Sequence, residues 1–150
     1  MVVDRLVSFL RRHGKIAIDT SPFIYQLEAS PRYPPVVDPI FAWLERPGRA
    51  AVTSTITLTE LLVHPYREAD QERADRLYAV LSRYPNLAWI APSLEVADLA
   101  AQMRAQHRLR TPDALQAATA VIMGATGLVT NDAILRRVPG FETLVLDDLL

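Results

Sequence analysis

The sequence predicts an α/β fold of three layers, α/β/α, around a central, mainly parallel sheet of five strands. Three observations predict it. Short apolar runs alternate with stretches of helical periodicity along the whole chain. The runs are apolar throughout rather than half polar, as strands are in a sheet covered on both faces. Proline and glycine punctuate most changes from one pattern to the next. With 150 residues, 50% of them hydrophobic, the chain has the apolar mass for one core, so a single unit over 1–150 is expected.

Val3, Leu6, Val7 and Leu10 recur at helical spacing and predict a first helix ending near Gly14, an extension over residues 1–14 ahead of the first strand. Lys15 to Asp19 reads as a buried strand. Ser21-Pro22 opens a second helix, with serine as the cap and proline at the first helical position. A proline-rich loop, Ser30 to Pro35, leads to a helix over Val36 to Glu45, stopped by Pro47-Gly48. Ala50 to Thr53 is the second strand, and the helix after it, Thr55 to His64, is stopped by Pro65. Glu68 to Arg83 reads as one mixed-charge helix, Leu87 to Ile90 as the third strand, and Ser93 to His107 as a helix. Thr111-Pro112 opens an alanine-rich helix, and Gly127 to Thr130 and Thr143 to Leu146 complete the sheet.

Composition excludes several functions. With no cysteine there are no disulfides, thiolate metal sites or cysteine nucleophiles. A net charge of −1 provides no overall basic field for nucleic acid, though a local basic rim is compatible with it. No apolar run is long enough to span a bilayer, and the N-terminus makes a poor signal peptide, so a cytoplasmic protein without membrane contact is expected.

Four acids stand out by position. Asp19 ends an apolar strand, and Asp113 begins the alanine-rich helix where Thr111 is already the natural cap. Asp132 follows strand four, where it or Asn131 can cap a short helix through Leu135. Glu60 lies mid-helix among Leu58, Leu61 and Leu62. Singly, each has a structural reading as a cap or a solvated face. Together they form one ordered pattern, with strand ends and helix starts aimed at the region where parallel α/β folds bind ligands.

The pattern resembles the PIN-domain nucleases, most closely the toxin branch called VapC. The segments that carry the resemblance are IAIDTSPFIY, TSTITLTELLV, RTPDALQAATA and LVTNDAIL, spread over Lys15 to Leu146. The helical stretch before Lys15 departs from the usual family start. The resemblance implies that Asp19, Glu60, Asp113 and Asp132 are catalytic and metal-site residues, that Thr130 matches the family's hydroxyl residue, and that Thr20 and Ser21 line the site. It implies a metal-dependent endoribonuclease acting on single-stranded or looped RNA and leaving a 5′-phosphate and a 3′-hydroxyl, with a VapB-like antitoxin partner and a homodimer. Four convergent carboxylates repel one another unless a cation joins them. An oxygen-only donor set points to Mg²⁺ or Mn²⁺, with Asp19 and Asp113 as the direct ligands and Glu60 and Asp132 direct or through water. Arg108, Arg110, Arg136 and Arg137 flank the acids and can grip phosphates.

His64, four residues after Glu60, has metal-compatible spacing but no second histidine motif beside it; His13 and His107 read as surface residues, and Asp147-Asp148 as a tail cap. An aspartyl-phosphate enzyme is disfavoured, because no lysine follows Lys15 to hold a phosphoryl group and Ser21 stands where a dehalogenase-type second aspartate would. The rival from another class is a PIN-like scaffold that binds RNA or protein without catalysis.

Overall fold

The computed structural model describes residues 2–28 and 30–150. Among the described residues five strands form one sheet: β1 (Lys15–Ile18), β2 (Ala50–Ser54), β3 (Leu87–Ile90), β4 (Gly127–Thr130) and β5 (Glu142–Val145). Their order is β3-β2-β1-β4-β5, and every pairing is parallel. The chain moves outward from β1 to β3, then returns to the other side of β1 for β4. The direction therefore switches between β1 and β4, which opens a crevice beyond their carboxyl ends.

Alternation along the strands feeds two cores. Ile16, Ile18, Ala51 and Val129 face one side, packed by α1 (Val2–Arg12), α2 (Thr20–Leu27), α3 (Pro34–Leu44), α4 (Thr55–Arg67) and α5 (Gln71–Ser82). Ala17, Val52 and Leu128 face the other, under α6 (Leu94–His107) and α7 (Thr111–Ile122). Ile16, Ile18, Leu128 and Val129 are fully buried, worth about 1.5–3 kcal/mol each in transfer free energy. Ala114, Ala117, Ala118 and Ala120 are fully buried too. With small alanine side chains making much of the contact, α7 packs against the sheet and sets its first turn beside the strand ends.

Several local expectations are corrected. Proline in a first turn does not fix which residue caps, because several positions there need no N–H bond. Hence α2 starts at Thr20, with Asp19 rather than Ser21 at the cap position, and α7 starts at Thr111 behind Arg110. For the same reason α3 begins at Pro34, two residues before Val36. Pro65 sits in the last turn of α4, which continues to Arg67. The predicted Glu68–Arg83 helix loses its first three residues to a break at Ala69 (φ 53°), and Asp70 then caps α5 by accepting Arg73 N–H at 3.0 Å. Strand five lies one residue earlier than expected, and Leu146–Leu149 forms a 3₁₀ turn after it. Among the described residues no helix is long and apolar enough to cross a membrane.

Candidate active site

A cleft of about 350 Å³ opens at the switch between β1 and β4, and all four acids line it: Asp19, Glu60, Asp113 and Asp132. Asp19 extends the ladder beyond β1, its N–H donating to Val129 O at 2.9 Å. Its side chain caps nothing; it accepts the Thr130 hydroxyl at 2.7 Å. Burial pushes its carboxyl up to about 6, with Asp113 and Glu60 adding to the push, while bonds from Thr130 and the Thr20 backbone pull the other way. Asp113, in the first turn of α7, is also buried, and burial raises its pKa; Asp132 adds to the rise, and the Arg110 Nε–H bond at 3.2 Å opposes it.

Asp132 is half-buried and caps the 3₁₀ turn Ala133–Arg137, accepting Ile134 N–H at 3.1 Å. Its own N–H donates to Thr130 Oγ1 at 2.9 Å, so one hydroxyl links Asp132 to Asp19. Glu60 is exposed on α4, and Thr20 donates to its Oε1 at 2.8 Å.

Beneath the acids lies a buried polar network that the sequence did not disclose. Thr53 donates to Ile18 O at 2.7 Å, which uses its only proton. The Thr57 hydroxyl, 2.8 Å from Thr53, therefore supplies the proton between them, and it accepts Gln116 Nε2 at 2.6 Å. Thr20 stands 3.3 Å from the same Thr57 oxygen. The network ties α7, which carries Asp113, to α4, which carries Glu60, through Gln116 and Thr57. A polar residue amid the alanines of α7 was the one available signal. Gln116→Leu removes the donor that Thr57 accepts and the acceptor at which the Ser54 N–H is aimed (Gln116 Oε1, 3.4 Å). The expected loss is about 2 kcal/mol, seen in a thermal melt as a fall of roughly 4–8 °C.

Of the flanking arginines, Arg110 lines the cleft. Arg108 is exposed in the left-handed residue that ends α6, Arg136 is paired with Asp148, and Arg137 donates to His107 O at 3.4 Å. Thr20 and Ser21 line the cleft, whereas Thr130 is fully buried and meets Asp19 and Asp132 from below. Ser21 accepts Asn131 N–H at 2.9 Å in place of the expected capping role. His64 is exposed and pairs with Glu68 at 3.1 Å. His13, expected at the surface, is buried between Thr126 (2.8 Å) and Glu142 (2.7 Å). Asp147 lies behind the cleft lining: it accepts Tyr33 OH at 2.8 Å, and its N–H donates to Oδ1 of the cleft residue Asn131 at 2.9 Å.

Among the described residues no three acids or histidines already stand at the spacing of a filled metal cage. Mutual repulsion between carboxylates opposes such a cluster until a cation joins it. The donor chemistry nonetheless fits a hard divalent ion, since the ionisable donors of the cleft floor are carboxylates and neither histidine nor cysteine is present. A larger apolar groove of about 690 Å³ runs along α4 past Leu58, Leu62, Val63 and Tyr66, and it holds none of the acids.

Solved structures share this architecture. A toxin–antitoxin complex from Klebsiella pneumoniae contains a chain 24% identical, with a TM-score of 0.65 over 87% of this chain and 96% of that one. VapBC-1 from nontypeable Haemophilus influenzae matches at 18% identity and a TM-score of 0.70, covering 89% and 98%. VapC20 from Mycobacterium tuberculosis, described as a sarcin–ricin loop cleaving toxin, matches at 18% and 0.67, covering 85% and 97%. At these identities the likeness is one of fold. A comparison with curated proteins finds no match. Residues 16–141, which hold all four acids and the sheet apart from Lys15 and strand β5, match the PIN domain, and the chain belongs to that family.

Proposed function

We propose that this protein is a Mg²⁺- or Mn²⁺-dependent endoribonuclease that hydrolyses RNA to 5′-phosphate and 3′-hydroxyl ends, and the toxin of a VapBC-type pair. The observation that carries this reading is the cleft itself: four acids, one of them a buried aspartate with its pKa pushed up to about 6, beside one arginine. Asp19 and Asp113 would hold the ion, with Glu60 and Asp132 completing its surroundings directly or through water. When bound, such a cation neutralises the crowded carboxylates, polarises the phosphate and acidifies water. The chain's own groups supply the positioning. Thr130 and Thr20 fix Asp19 and Glu60 by hydrogen bonds. Glu60 orients the attacking water with the oxygen that Thr20 does not hold. The Arg110 Nη groups bond to none of the described residues and can take a phosphate oxygen, while Nε stays on Asp113. Water attacks phosphorus and gives up a proton to solvent, the bond to the 3′-oxygen breaks, and the 3′-oxygen takes up a proton from solvent and leaves as a hydroxyl.

The toxin–antitoxin complexes of similar fold support a VapB-like antitoxin as partner. The apolar groove on α4 is the surface we assign to it. The protein is further inferred to act as a cytoplasmic homodimer.

The test is cleavage of a structured RNA pool with Mg²⁺ or Mn²⁺, beside EDTA and an Asp113→Asn control. Cutting should require the metal and vanish in the variant. Metal-independent cutting, or no cutting and no Mn²⁺-induced rise in melting temperature, would leave the scaffold reading in its place. Metal affinity should also depend on pH. An ion must displace the Asp19 proton below about pH 6, so apparent Mn²⁺ affinity should fall by about tenfold per pH unit there and level off above it. A flat profile from about pH 5 to 7 by calorimetry would contradict the placement of Asp19 as a ligand.

A further inference from the structure

Beside the acids the cleft has an apolar side, made by Ile24 and the ring of Tyr25 on α2. The Tyr25 ring lies flat on Tyr33, with centroids 3.7 Å apart and planes within 6°. Asn131 Nδ2 donates to both hydroxyls, at 2.9 Å and 3.2 Å, and Tyr33 donates onward to Asp147 at 2.8 Å. The Arg32 guanidinium lies 5.5 Å over the Tyr33 ring. Both phenol oxygens are tethered and Tyr33 blocks one face of Tyr25, so the Tyr25 ring cannot swing. It remains half-buried and lines the cleft together with Asp19 and Asn131. A rigid π-surface beside a phosphate-sized acidic site matches what single-stranded nucleic acid offers, a base next to each phosphate. Stacking of this kind tolerates any base and requires that base to be unpaired.

We propose that Tyr25, backed by Tyr33 and held by Asn131, is the stacking face for one unpaired nucleobase adjoining the phosphate at the acids. This rests on the nuclease reading of the cleft.

The test measures binding by fluorescence anisotropy in Ca²⁺, with oligonucleotide length checked on a gel after each titration. The probes are a labelled adenosine decamer and a decamer of the same ribose-phosphate chain without bases. Tyr25→Leu should weaken the adenosine decamer by about tenfold and leave the abasic one unchanged. Tyr25→Phe should hold both within about twofold. Tyr25→Trp, with a wider ring, should tighten only the adenosine decamer, and it serves as the second arm if the leucine variant does not fold. Equal losses on both decamers, or no loss on either, would overturn the stacking role. Mn²⁺-dependent cutting is read separately on a long RNA. Cutting without base discrimination removes the stacking face alone, base discrimination without cutting removes the nuclease reading alone, and an unmodified protein that binds neither decamer removes both.

Discussion

Replacing Asp19 with asparagine is expected to abolish metal-dependent RNA cutting while raising the melting temperature of the metal-free protein. Both effects have one cause. Asp19 is only 8% exposed, and burial, aided by Asp113 and Glu60, moves its carboxyl from 3.8 to about 6. A carboxyl raised in this way favours the fold when protonated. That contribution is complete below the unfolded value of 3.8 and is lost as pH rises through about 6. Above that range the metal-free protein carries a buried carboxylate at a cost on the order of 3 kcal/mol, taking about 1.36 kcal/mol per pKa unit. Asparagine removes the charge and keeps an oxygen to accept the Thr130 hydroxyl. In EDTA at about pH 7.5 the variant should therefore melt roughly 6–12 °C higher, an advantage that shrinks to nothing as pH falls to about 4. Mn²⁺ should stabilise the unmodified protein, by about 2.7 kcal/mol at a hundredfold excess over Kd, and leave the variant unmoved. A variant that melts lower than its parent in EDTA would show that the buried carboxylate is already compensated, and the electrostatic account of the cleft would fail.

Such opposition between stability and function is also why this cleft was partly legible in the sequence. An apolar strand that ends in an acid breaks a pattern, and Asp19 and Asp132 each do so at a carboxyl end where a switch in strand direction opens a crevice. The strands themselves were legible because burial on both faces leaves near-continuous apolar runs, and all five are found within one residue of their expected positions. What remained hidden depends on partners far apart in the chain. Gln116 meets Thr57 across 59 positions, and His13 meets Glu142 across 129. No local periodicity encodes those pairings, so a core-facing glutamine passed unremarked and a buried histidine looked like a surface residue. The pairing of Arg136 with Asp148, which reaches it through the 3₁₀ turn after β5, is hidden for the same reason. Helix starts were blurred by the tolerance of first turns for proline, a purely local degeneracy.

Removing α1 is expected to collapse the fold, although the PIN match begins only at residue 16. Leu6 and Phe9 are each 1% exposed and Leu10 is 6% exposed, all within the same core as Ile16, Val36 and Leu146. Phe9→Ala alone should cost about 3–5 kcal/mol, a large share of the roughly 5–15 kcal/mol that holds a typical protein folded. The seat of that ring explains Gly127, the first residue of β4: a Cβ there would meet Phe9 Cζ at 2.7 Å and the His13 ring at 3.0 Å. Gly127→Ala should therefore destabilise, and less so once Phe9 is shortened, because the truncated side chain vacates the space; the two losses should fall short of adding. The helix also reaches the site at second hand. Arg5 donates to Asp148 O at 3.0 Å, Arg12 pairs with Glu142 of β5, and the segment they brace carries Asp147, whose N–H holds Asn131. Urea titration of Phe9→Ala, Gly127→Ala and the double variant measures the coupling. Additive losses, or a protein lacking residues 2–12 that melts within a few degrees of the full chain, would mean that α1 is an attachment to the core rather than part of it.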